Sequence, residues 1–164
     1  MLIGRIVILG FMFLFFCKVM TANAVVRFNE HPLTPRVSIV RAEFGLFNST
    51  ESEEQAFVPT RTVPFTEKQS YGWVILLETK KPKIRWREEF TLPAAPATWG
   101  DVETQGSQSI SEDRRVSITE REVETDQGLI FNSWAVAPGD PKGRYFIRVI
   151  VENSVEQVFE FDVK

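Results

Sequence analysis

Glu120, Glu122 and Glu124 stand at alternate positions, so on an extended strand their carboxylates share one face. A row of like charges suits either a solvated face or a cation site. Hard cations require several convergent oxygens and a tight turn, which this run lacks, so a solvated face is expected. Glu88 and Glu89 are adjacent, point to opposite faces of a strand and cannot work as an acid–base pair. Glu88 is the misfit on an otherwise apolar face. Buried there, it would need a cation or a raised pKa, and its expected place is in water, at a bulge or sheet edge. Asp140 lies in Pro138-Gly139-Asp140-Pro141, where an aspartate side chain caps its own backbone. The one histidine, His31, precedes Pro32, and the one cysteine is Cys17. Ser-His and Cys-His triads are thereby nearly excluded, as is a zinc site. No catalytic residue, metal ligand or cofactor site is assigned, and an enzyme is not expected.

The aromatic residues offer a different chemistry. Trp73, Trp86, Trp99 and Trp134 are joined by Tyr71 and Tyr145. A flat ring stacks on the apolar face of a sugar, so exposed tryptophans can form a carbohydrate platform. Trp73 and Trp86 sit within apolar strand patterns and are expected in the core. Trp99, in a Pro/Ala/Gly-rich segment before Gly100-Asp101, is the better candidate for exposure, and the phase of Trp134 is open. Trp99 and Trp134 are therefore the candidate ligand contacts.

The elements that must position these residues read with period two between Gly, Pro and polar clusters. Val37 to Phe47 is a strand, with Val37, Ile39 and Arg41 on one face, Val40, Ala42 and Phe44 on the other, and a bend at Gly45. Asn48 to Gln55 is polar and acidic and reads as a loop. Arg61 to Phe65 contains Pro64 and is at most an edge segment. Tyr71 to Thr79 is apolar on both faces, as a central strand would be. Ile84 to Leu92 is the cleanest alternation: Ile84, Trp86, Phe90 and Leu92 share a face with Glu88. Pro93 to Gly106 is an irregular crossing. Val116 to Val123 is a strand with a polar outer side and a suspected bulge, and Leu129 to Val136 is another strand. Tyr145 to Glu152 and Val155 to Val163 form a hairpin across Asn153-Ser154. About seven or eight strands in this length predict an all-β fold, an immunoglobulin-like antiparallel β-sandwich, with a small barrel as runner-up.

The start of the chain sets the expected address. Ile6 to Phe16 is almost wholly apolar, follows Arg5 and precedes Ala22-Asn23-Ala24, a small-x-small site of the kind signal peptidase reads. The run is short of the ~20 residues of a membrane-spanning helix. Residues 1–24 are read as a cleaved signal helix, 25–35 as an extended lead-in and 36–164 as the sandwich domain. Membrane contact is expected only through the signal before cleavage, and the mature domain is expected in the periplasm or outside the cell. Phe15 and Phe16 before Cys17 argue against lipidation, which needs a small residue there. Removing 24 of 164 residues leaves 140 without cysteine, so packing alone must hold the fold. The chain carries 19 basic and 22 acidic residues. Arg5 and Lys18 leave with the signal, and the remaining 17 basic residues give a net charge of −5. That balance argues against a nucleic-acid partner.

Two sets of stretches carry a family resemblance. Pro138-Gly139-Asp140-Pro141, then Tyr145 to Val149 and Phe159 to Val163, resemble the closing hairpin of bacterial exported immunoglobulin-like modules. Val37 to Phe47, Gly72 to Thr79 and Phe90 to Pro93 resemble the DUF3859 group of uncharacterised bacterial domains. The resemblance implies a bacterial, exported, sandwich-like domain and no activity. The functional expectation is an exported non-catalytic module for protein or envelope interaction. The alternative is a carbohydrate-binding module using Trp99 and Trp134. The partner, protein or glycan, is not identified.

Overall fold

Alternation of apolar and polar residues sets the strands, and turn residues end them. The structure is a computed structural model that describes residues 36–49, 55–99, 107–125 and 127–164. The proposed signal and lead-in lie outside the described residues, as do residues 50–54 of the acidic loop and residues 100–106 of the crossing. No helix among the described residues is long and apolar enough to cross a membrane.

Ten strands form two sheets among the described residues: β1 (Ser38–Ser49), β2 (Gln55–Pro59), β3 (Thr62–Val63), β4 (Ser70–Glu78), β5 (Lys83–Thr91), β6 (Ser107–Ile110), β7 (Val116–Glu124), β8 (Leu129–Ala135), β9 (Gly143–Val151) and β10 (Val155–Val163). One sheet has the order β2-β1-β4-β8, the other β3-β10-β9-β5-β7-β6. Among these strands all pairs are antiparallel except β3 with β10. The count exceeds the expected seven or eight because β2, β3 and β6 are short edge pieces with little periodicity to read.

The core lies between the sheets. Tyr71, Trp73, Ile75 and Leu77 of β4 face Ile84, Trp86 and Phe90 of β5, with Ile147, Val149 and Val151 of β9 and Phe159, Phe161 and Val163 of β10 beside them. Burial of each such large side chain contributes about 1.5–3 kcal/mol. Tyr145 is the third residue of β9, and its hydroxyl donates back to the Pro141 carbonyl four residues upstream. That bond pins the Pro-rich turn to the core in the manner of the tyrosine corner of immunoglobulin-like domains. Asp140 caps this turn as expected, accepting from the Ala137 N–H at 2.8 Å.

Two strand phases differ from expectation. In β1 the register against β4 shifts between Ile39 and Arg41, so Val40 bulges out and is 61 % exposed. The bulge moves Ile39 onto the core alongside Ala42 and Phe44, which alternation alone would not allow. In β7 the pairing with β5 and β6 is regular, without the suspected bulge. Its polar side, not Val116 and Ile118, faces inward: Ser117 and Thr119 are buried. Facing out, Glu120, Glu122 and Glu124 oppose Arg87, Arg85 and Lys83 across the ladder. The solvated-face reading of these glutamates therefore holds, with cross-strand ion pairs added.

Candidate functional site

Glu88 has no exposed surface. It lies mid-strand in β5, in unbroken register with Thr119 of β7 and Val149 of β9. The expectation of a bulge or wet edge is therefore corrected. Three N–H donors make its burial possible. Trp73 Nε1 donates to Oε2, Trp134 Nε1 to Oε1 at 2.8 Å, and Asn132 Nδ2 reaches both oxygens at 3.1 Å. These donors come from the inward phases of β4 and β8, across the sandwich. Burial pushes the Glu88 pKa up, while the bonds from Trp73, Asn132 and Trp134 and the charge of Arg121 pull it back. The sequence did hold a signal for this. Trp134 and Asn132 share a phase with Ile130, and an acid in phase with tryptophans has N–H donors at hand.

Beside this cluster a pocket of about 490 Å³ opens at one side of the sandwich. Its floor includes Phe90 and Asn132, and its walls include Trp99, Trp134, Thr119 and Arg121. The structure thus brings the two sequence-predicted contacts, Trp99 and Trp134, into one pocket. Both are half-buried and pack against the core. Their ring centroids are 6.1 Å apart, with planes crossing at 70°. That is an edge-to-face pair, not the coplanar platform of a stacking surface. Trp99 is fixed by the β6–β7 turn: its Nε1 donates to the Arg114 carbonyl at 3.0 Å, and the Arg114 guanidinium donates to the Ala97 carbonyl at 3.0 Å. Arg114 holds a left-handed backbone, φ 58°, in that turn. Trp73 and Trp86 are buried, as expected.

His31 lies outside the described residues. Among the described residues no group of three or more histidine, cysteine, aspartate or glutamate side chains is placed to hold a metal ion. Asp140 borders the pocket, and burial pushes its pKa up. Sequence reasoning did not single out Arg121, the one cation among the described residues lining this pocket. Its signal was faint: an arginine in the Ser117–Thr119–Val123 phase, which reads as outward until the pairing is known.

Two antiparallel-dominated sheets packed over an aromatic core, closed by a tyrosine-pinned hairpin, define an immunoglobulin-like β-sandwich. Within that class, residues 42–164 match the PM0630 beta sandwich domain, and the chain belongs to that family. An immunoglobulin-like protein from Pseudomonas aeruginosa, solved as a crystal structure, is similar in fold. It is 19 % identical, with a TM-score of 0.51 over 79 % of this chain and 97 % of that one. No curated protein matches the sequence.

Proposed function

We propose that the chain is an exported, non-catalytic interaction module. The observation that carries this reading is the state of Glu88. It is the one acid in the core among the described residues, and it has both oxygens filled by side-chain donors and no surface for a substrate. Sheet edges at β2, β3, β6 and β8 supply backbone for a partner strand. The small-x-small site at Ala22-Asn23-Ala24 supports export. The test has two arms. N-terminal sequencing of exported protein should find Val25 first, and ester, peptide and glycoside substrates should not turn over. Hydrolysis that is lost in Glu88→Gln would overturn the non-catalytic reading.

A second reading, carbohydrate binding, is favoured by one observation: Trp99 and Trp134 wall the same pocket. Their crossed rings suit a ligand held in a cleft rather than one laid on a flat face. Affinity electrophoresis with soluble polysaccharides is its test. A retardation abolished by Trp99→Ala supports it, and no retardation in any gel removes it.

A further inference from the structure

We propose that Arg121 anchors the carboxylate of an acidic saccharide in the pocket walled by Trp99 and Trp134. The inference deepens the carbohydrate reading and rests on it. Arg121 lies on the inward side of β7, opposite Trp86 in the ladder. The arginines on the outer face of this sheet find acids: Arg85 pairs with Glu122, Arg87 with Glu89, and Arg148 with Glu156. Arg121 has no such ion pair among the described residues. Its guanidinium carbon lies 5.8 Å from the Trp86 ring centroid. Its Nε is buried without a hydrogen-bond partner, and so is Nε1 of the adjacent Trp86. A buried donor left unpaired is costly, and Arg121 lines the pocket, whereas Trp86 does not, so an acceptor there would offset the cost at Arg121 alone. Glu88 attracts Arg121, but both its oxygens already accept from Trp73, Asn132 and Trp134.

The rest of the pocket suits the remainder of such a ligand. Its volume falls in the range of small-molecule sites. A planar guanidinium matches a carboxylate with two parallel bonds. Trp134 and Trp99 offer ring faces and edges to a pyranose, while Gln108 and Thr119 offer polar groups to its hydroxyls. Asp140 borders the same pocket near Tyr145, which packs on Phe90. Phe90 stands four residues beyond Trp86 on β5, roughly 13 Å along the strand. The cation and the acid therefore sit at opposite ends. A carboxylate belongs at the Arg121 end, and hydroxyls that donate belong at the Asp140 end.

The experiment is a titration of the full chain, followed by tryptophan fluorescence and calorimetry, with three probes. These are a galacturonate trisaccharide, a neutral glucose trisaccharide and inorganic phosphate. The acidic sugar should bind at least tenfold tighter than the neutral one, and phosphate should not compete at equal concentration. Arg121→Gln should erase the acidic preference, Arg121→Lys should keep part of it, and Trp99→Ala should weaken both sugars. Should Arg121→Gln fail to fold, Arg121→Lys and the loss of acidic-sugar binding at high salt carry the same information. Equal binding of both sugars, unchanged in the Arg121 variants, leaves the pocket as a sugar site and overturns the acidic assignment. Phosphate competing as well as the acidic sugar overturns the saccharide. No binding of either sugar overturns this inference and the carbohydrate reading together.

Discussion

Glu88 is held by Trp73, Asn132 and Trp134, and each of these would lose its partner if the carboxylate were removed. A buried donor left without an acceptor costs about 1–3 kcal/mol. Glu88→Leu should therefore destabilise the domain by about 3 kcal/mol or more, read from urea unfolding. A loss under about 1 kcal/mol would mean the donors find other acceptors. The acid also titrates. Burial raises its folded-state pKa above the ordinary 4.5 of an exposed glutamate. As pH falls, the folded chain takes up this proton before the unfolded chain does. The contribution of Glu88 to stability thus grows as pH drops toward 4.5 and is lost as pH rises through its folded pKa. Asp140 is shifted in the same direction and Glu152 in the opposite one, so the wild type alone cannot isolate the effect. Glu88→Gln removes only this titration. The stability of wild type relative to Glu88→Gln should be greater at about pH 5 than at about pH 8; an equal difference at both would refute the assignment.

At the scale of elements, close strand approach constrains β4. Gly72 pairs with Gly45 of β1 on one side and Ser133 of β8 on the other. A Cβ on Gly72 would come within 2.1 Å of the Asn132 carbonyl oxygen, a backbone atom that cannot swing aside. Gly72→Ala should push β8 away from β4 and, through Asn132 and Trp134, loosen the Glu88 cluster. A loss of about 2 kcal/mol or more is expected, with tryptophan fluorescence shifted to the red. The outward ladder of β5 and β7 should behave in the opposite way. Arg85 and Glu122 are well exposed, so Glu122→Lys should cost under about 1 kcal/mol, and about 1 M NaCl should remove most of the difference. The legibility of these elements followed their burial. β5 and β10, with one face in the core, read correctly from alternation alone. β1 did not, because the bulge at Val40 reverses its phase, and β7 did not, because polar Ser117 and Thr119 are its buried face. The burial of Glu88 was hidden for a related reason: its donors sit more than a dozen residues away, on strands of the other sheet.

Across the whole domain, the sandwich class was readable because β4, β5, β9 and β10 each have an apolar side that needs a cover. The pocket was not, since Arg121, Trp99 and Trp134 come from β7, a crossing and β8, and only the pairing brings them together. The same non-local pairing governs how the domain should fold. β3 lies beside β10, joining Val63 to Val163, and β1 pairs with β4 across the intervening β2 and β3. β5 pairs with β9 across the intervening β6, β7 and β8. Each of these contacts closes a long loop before burial rewards it, so refolding should take milliseconds to seconds, not microseconds. One aromatic cluster runs through both sheets, from Phe44 through Tyr71, Phe90 and Phe161 to Tyr145. With no cysteine beyond Cys17, no disulfide can hold one sheet together while the other melts. Unfolding should therefore be a single transition in which far-UV circular dichroism and the fluorescence of buried Trp73 and Trp86 coincide. Two separated transitions would show that the four-stranded and six-stranded sheets are independently stable, and that the Glu88 bridge between them is not part of the cooperative core.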